Sequence, residues 1–140
     1  RVAVYVSGKA ECNMYDSVVR GCVDSGVHCS SGGLVLLEHC MVSECGKSGV
    51  FASQSAQLWM FCCRVSGNRG CGVELLSCLD AGLNEPVSSG DVGGVLSTPP
   101  SLCIKNSIIV ENLSGGILVC GCSFLIQQCT VNGNRLANIS

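Results

Sequence analysis

The sequence predicts an all-β fold: a right-handed, single-stranded parallel β-helix of about six coils with 22–23 residues each. Three observations predict it. A small residue followed by Val or Ile returns at a nearly constant step along the whole chain. The columns defined by that step are aliphatic or polar in a consistent way, and the aliphatic ones lie two residues apart. The composition combines 18 glycines with 47% hydrophobic and only 13% charged residues. That balance disfavours a helical bundle, which needs helix formers and charged outer faces, and it disfavours disorder.

The repeat is marked by Ala3-Val4, Gly26-Val27, Gly49-Val50, Gly72-Val73, Gly94-Val95, Gly116-Ile117 and Asn138-Ile139, at steps of 23, 23, 23, 22, 22 and 22 residues. Seven residues before each small residue stand Val19, Val42, Val65, Val87, Ile109 and Val131. Fourteen and twelve before stand pairs such as Val35 with Leu37 and Leu58 with Met60. The residue after each glycine pairs with the one two further on, as in Val27 with Cys29. Spacing by two is the strand signature, because alternate side chains share a face. Three short strands separated by Gly, Ser and Asn make one coil. Successive coils then lie about 4.8 Å apart, and equivalent positions become ladders. The column four before the glycine runs Cys22, Cys45, Asn68, Gly90, Asn112, Asn134, a polar ladder in which asparagine bonds its own kind. The right hand follows from the general rule for parallel crossovers.

One coil fits badly. Between Val73 and Gly94 the core columns hold Asp80, Gly82 and Glu85. Residues 77–91, which carry Pro86, are therefore expected to leave the coil as a loop within a single β-helix domain spanning 1–140. Pro99-Pro100 should mark the turn into the next strand at Leu102. A start at Arg1, part-way through a repeat and without a polar cap, reads as a fragment of a longer protein. A net charge of −2 gives no footprint for nucleic acid or a membrane surface. The 13 cysteines are an odd number and recur where other repeats carry Val, Ser or Asn. They read as small hydrophobes in a reducing, intracellular setting, cytoplasmic or cytoskeletal.

The sharpest chemical candidate is the column ten before each glycine: Asp16, His39, Cys62, Asn84, Asn106, Gln128. Acid, imidazole and thiol in consecutive coils are the elements of a cysteine nucleophile site. A row of polar corner residues accounts for the same column with no coincidence beyond polarity. Acids do not pair for carbohydrate chemistry: Glu44 and Glu111 share a column but are read as separated by the coils of Gly67 and Ser89. No metal-ligand spacing or cofactor motif is present, so no cofactor is expected. His28 should point outward as a solvated residue in a column with Phe51, Glu74, Leu96 and Leu118. Phe51, Leu96 and Leu118, with Trp59 and Phe61 flanking the inward Met60, are the candidate partner-binding residues. The sequons at Asn112 and Asn138 read as chance matches, because Asn112 belongs to the buried ladder.

The stretches Val2 to Ser7 (VAVYVS), Ser25 to His28 (SGVH), Ser48 to Phe51 (SGVF) and Ser66 to Val73 (SGNRGCGV) resemble PbH1-type repeats of eukaryotic right-handed β-helix proteins. The nearest in pattern are the β-helix regions of certain F-box proteins and of the SHC-binding spindle proteins. That resemblance implies recognition of protein partners, with no catalytic residues to carry over. The chain departs from it in its cysteine excess and irregular coil, and it has no F-box. The expected function is a non-catalytic interaction or scaffold module in a larger assembly. Its solenoid ends would be covered by partners or by neighbouring parts of the same chain. The alternative is a carbohydrate-active or carbohydrate-binding β-helix.

Overall fold

The computed structural model describes residues 1–76 and 101–140. The first turn is built from β1 (Val4–Val6), β2 (Glu11–Tyr15) and β3 (Val18–Arg20). The second holds β4 (Val27–Cys29), β5 (Leu34–Glu38) and β6 (Met41–Ser43), and the third β7 (Val50–Ser53), β8 (Gln57–Phe61) and β9 (Arg64–Ser66). The fourth holds β10 (Val73–Leu76), β11 (Leu102–Lys105) and β12 (Ile108–Val110). The fifth holds β13 (Gly115–Cys120), β14 (Phe124–Gln127) and β15 (Thr130–Asn132), and β16 (Ala137–Ile139) follows. All pairings are parallel. They form one sheet in the order β1-β4-β7-β10-β13-β16, a second in the order β14-β11-β8-β5-β2 and a third in the order β15-β12-β9-β6-β3. Every described strand is thus one level of a three-sided solenoid.

The core is the stack of predicted columns. Val42, Val65 and Ile109 are fully buried in register, as are Val35 with Leu58 and Leu37 with Met60. Full burial of each such side chain stabilises by about 1.5–3 kcal/mol. The glycines of the repeat are required by space. A Cβ on Gly26, Gly49, Gly72 or Gly116 would stand 2.8, 2.6, 2.5 or 2.6 Å from the Val42, Val65, Ile109 or Val131 side chain respectively. Each glycine therefore makes room for the aliphatic ladder seven residues before the next glycine, which links the two most regular columns.

Three kinds of corner turn the chain. Ser7 to Ala10, Ser30 to Gly33 and Ser53 to Ala56 each close with a carbonyl-to-amide bond of 3.0–3.2 Å around two residues of positive φ. Asp16, His39, Cys62, Asn106 and Gln128 are single left-handed residues, with φ of 49–55°, between the second and third strands. Gly21, Glu44, Gly67, Glu111 and Gly133 repeat that conformation after the third strand. The residue following the second corner is Ser17, Cys40, Cys63, Ser107 or Cys129. Its hydroxyl or thiol donates to the carbonyl two residues back, at 2.7, 3.4, 3.3, 2.9 and 3.2 Å. Thiol and hydroxyl do the same job in this column. The twelve described cysteines are all free.

The polar ladder is an asparagine ladder. Asn68 Nδ2 donates to Asn112 Oδ1 at 2.9 Å, and Asn112 Nδ2 donates to Asn134 Oδ1 at 2.9 Å. The backbone amides of Cys45, Asn68 and Asn112 donate to the next Oδ1 at 2.9, 3.1 and 3.0 Å. Asn112 is buried, as the reading of its sequon required.

One expectation is corrected. No rung for Gly94-Val95 lies between Gly72 and Gly116, because Val73 pairs directly with Ile117 and Leu58 directly with Leu102. Partners there are 44 residues apart, as between Asn68 and Asn112. Among the described residues the stack holds five full turns and the first strand of another, close to the six coils expected. Asp80, Gly82, Glu85 and the segment 77–91 lie outside the described residues, as do Gly90 of the ladder and Asn84 of the corner column.

Candidate functional site

The outer face of the first sheet carries one continuous column: Tyr5, His28, Phe51, Glu74 and Leu118 in register. Parallel pairing fixes their order, and strand alternation turns them away from the core valines on either side. The His28 ring stands edge-on between Tyr5, with centroids 4.9 Å apart, and Phe51, with centroids 4.8 Å apart. Edge-to-face contact at this range is favourable beyond area burial. The Tyr5 hydroxyl lies 3.1 Å from Ser30 Oγ.

Beside this column runs a groove of about 440 Å³ lined by Asp24, Ser25, His28, Lys47, Ser48, Phe51 and Glu74. The Ser48 hydroxyl donates to the Glu74 carboxylate. Lys47 Nζ lies 2.8 Å from Asp24 Oδ1, and the amino group of Arg1 contacts the other oxygen at 2.8 Å. The hydrogen bond from Lys47, then that from the amino group, holds the Asp24 carboxyl down to about 2. Burial lowers the His28 imidazole below its ordinary value, and the positive charge of Lys47 acts in the same direction. The groove therefore offers aromatic edges, one carboxylate in no ion pair among the described residues, and a neutral imidazole near pH 7.

The predicted partner-binding residues divide between two faces. Phe51 and Leu118 belong to the first-sheet column, and both are half-buried. Leu96 lies outside the described residues, and Glu74 pairs directly with Leu118, leaving no rung for it between them. Trp59 and Phe61 stand on the outer face of the second sheet, also half-buried, around the fully buried Met60. Trp59 is in register with Leu36 and Cys103, and Phe61 with Glu38 and Lys105. The third sheet exposes Val18 and Met41 beside Arg20, whose guanidinium meets Glu44 at 2.8 Å. Glu44 and Glu111 are separated by one corner, Gly67, rather than the two coils expected.

His28 is not the solvated residue expected. The signal was Tyr5, which stands two residues after Ala3 and so belongs to the same outward column. Asp24, Lys47 and Ser48 were missed as site residues, because groove walls are made by corner residues that no strand periodicity marks.

Asp16, His39 and Cys62 occupy consecutive corners, as expected. Their amides donate to Glu38, Phe61 and Lys105 carbonyls, each at 3.0 Å. Asp16 Oδ1 lies 3.7 Å from His39 Nδ1, and all three side chains are exposed. Burial pushes the thiols of Cys29 and Cys63 up to about 11. Among the described residues no three of His, Cys, Asp and Glu converge to hold a metal ion.

The family described as "right handed beta helix region" matches the chain over residues 1–140. Comparison with curated proteins gave no match, and neither did comparison with solved structures.

Proposed function

The chain belongs to the right-handed β-helix family, and on that premise we propose that it is a non-catalytic interaction or scaffold module within a larger intracellular assembly, cytoplasmic or cytoskeletal. The observation that carries this reading is the outward column Tyr5–His28–Phe51–Glu74–Leu118 beside its groove. A solvated sheet face has no need of a continuous aromatic and aliphatic column, whereas a partner-binding face does. Tyr5 is 59% exposed and Val18, on the third face, 65% exposed, so more than one face offers apolar surface. The resemblance of its repeats to eukaryotic PbH1-type proteins, whose β-helices recognise protein partners, supports the same reading. Protein partners, or neighbouring parts of the same chain, then cover the faces and the solenoid ends.

A photo-crosslinking amino acid placed at position 51 or 118 of the full-length protein, expressed in cells, tests this. Discrete protein adducts that vanish with Glu74→Lys support the reading. Absence of adducts, together with retention on an immobilised polysaccharide that Phe51→Ala abolishes, favours the carbohydrate-binding alternative instead.

A further inference from the structure

We propose that Cys22 and Cys45 are a redox-responsive pair, closing reversibly into a disulfide that staples the first turn of the solenoid to the second. They are consecutive members of the column that carries the asparagine ladder further along. Backbone bonds clamp the corner on both sides of them. Before the pair, Val19 is in register with Val42 and Arg20 with Ser43, and the Gly21 amide donates to the Ser43 carbonyl at 3.1 Å. After it, the Gly46 amide donates to the Cys22 carbonyl at 2.7 Å and the Lys47 amide to the Asp24 carbonyl at 3.2 Å. Continued two residues, that register sets Cys45 directly over Cys22.

Adjacent rungs lie about 4.8 Å apart, within the Cα separation of about 4.4–6.8 Å that a disulfide spans. The rungs approach closely at this corner, because a Cβ on Gly46 would run into the Val23 carbonyl. Side chains of this column reach toward the preceding rung, as Asn68 Oδ1 does to the Cys45 amide. The two thiols already act on one another. Burial, above all, raises the Cys45 thiol above its ordinary value; the Cys22 carbonyl opposes this as a hydrogen-bond partner, and the Cys22 thiol adds to it. Cys40 and Cys63 are stacked in the same way at the second corner and differ in access. Both are buried, and each thiol donates to two carbonyls. Cys22 is half-buried, so a small oxidant reaches its sulfur.

The reaction is thiol–disulfide exchange with a low-molecular-weight disulfide as oxidant. The Cys22 thiolate attacks one sulfur of that disulfide, its S–S bond breaks, and one small thiol leaves with a proton. The Cys45 thiolate then attacks the Cys22 sulfur of the mixed disulfide, and the second small thiol leaves. Two protein thiols lose two electrons, and one small disulfide is reduced to two thiols. In a reducing setting such a bond is transient and sensing rather than structural. The pair opens the two corner segments that carry Asp24 and Lys47, so closure fixes one wall of the groove, whatever the groove binds.

Cys40 and Cys63 are the internal control. The protein is incubated with oxidised glutathione under native conditions, blocked with N-ethylmaleimide and cleaved after Arg20, Glu38, Glu44 and Lys47. Peptide mass spectrometry reads the linkages over time, with circular dichroism to confirm that the fold is kept. The expected product joins fragment 21–38, through Cys22, to fragment 45–47. It should form about tenfold faster than the Cys40–Cys63 linkage or more, and excess reduced glutathione should reverse it. Cys22→Ser, at the half-buried position, should leave Cys45 reduced, and Cys45→Ser should leave Cys22 as the mixed disulfide. Accumulation of that mixed disulfide in the unmodified protein, with Cys45 still reduced, would overturn the proposal. So would pairing of Cys22 with any other cysteine, absence of any linkage, or a Cys40–Cys63 linkage that closes as fast.

Discussion

Replacing Asn112 by alanine should be among the most damaging single changes in the polar part of this solenoid. Its Oδ1 accepts from the Asn68 amide at 3.1 Å and from Asn68 Nδ2 at 2.9 Å, and Asn68 is fully buried. Alanine leaves both donors without an acceptor in a place water does not reach. Each unsatisfied buried donor costs about 1–3 kcal/mol. Loss of the donations from Asn112 Nδ2 to Asn134 Oδ1 and to the Val65 carbonyl adds to this. The expected total is about 3–5 kcal/mol, or about 10–15 °C in melting temperature for a chain of this size. Asn134→Ala also removes an acceptor from two Asn112 donors, the amide at 3.0 Å and Nδ2 at 2.9 Å, but Asn134 is only half-buried and water can enter where its side chain stood, so the cost should be smaller, about 1–3 kcal/mol. Thermal and urea denaturation of the two variants side by side read the difference. A cost below about 1 kcal/mol for Asn112→Ala, or equal costs for the two, would refute the claim that the ladder is a buried, mutually satisfied unit.

Two further outcomes follow from the packing and the groove. Gly72→Ala should destabilise by about 1–3 kcal/mol, because its Cβ would stand 2.5 Å from Ile109 Cγ2 and 2.9 Å from the Gly116 carbonyl. Gly8→Ala, which meets nothing within 4 Å but keeps φ at +66°, should cost about 1 kcal/mol. A reversed ranking in denaturation would show that conformation rather than space selects the repeat glycines. The lowered His28 pKa means that the unfolded chain binds a proton more readily than the folded one. Stability should therefore be full above the unfolded value of about 6.5 and be lost as pH falls through the folded value. His28→Phe should flatten that slope in pH-dependent melting, and a slope unchanged by the substitution would contradict the assignment.

The fold was legible because a solenoid writes its geometry into the sequence as a step. Val42, Val65 and Ile109 could be placed on one ladder by counting, and the aliphatic pairs two residues apart named the strands. Counting failed at one place for an arithmetical reason. The interval between β8 and β11 is 44 residues, twice the local step of 22, so the chance pair Gly94-Val95 fell where a rung would be. Asp80, Gly82 and Glu85, which fit the core columns badly, lie outside the described residues. The site was less legible. Strand periodicity said that Phe51 faces outward but not that Tyr5 and Phe51 enclose His28, which depends on ring size across neighbouring rungs. Corner residues such as Asp24 and Lys47 carry no periodic mark. The left-handed corners were visible only as a polar column, although glycine recurring at positions 21, 67 and 133 hinted at positive φ nearby. Cysteine at positions 40, 63 and 129 could be read as core, but its donation to the carbonyl two residues back required coordinates.

The direct pairing of β10 with β13 and of β8 with β11 has a consequence for how this chain can vary. β10 ends at Leu76 and β11 begins at Leu102 on the same turn, and each is already bonded to the rung above and the rung below it. The number of residues spent in that interval is thereby uncoupled from the pitch of the cylinder. Lineages can lengthen, shorten or exchange that stretch, and engineers can graft a foreign segment there, while the neighbouring rungs keep their alignment.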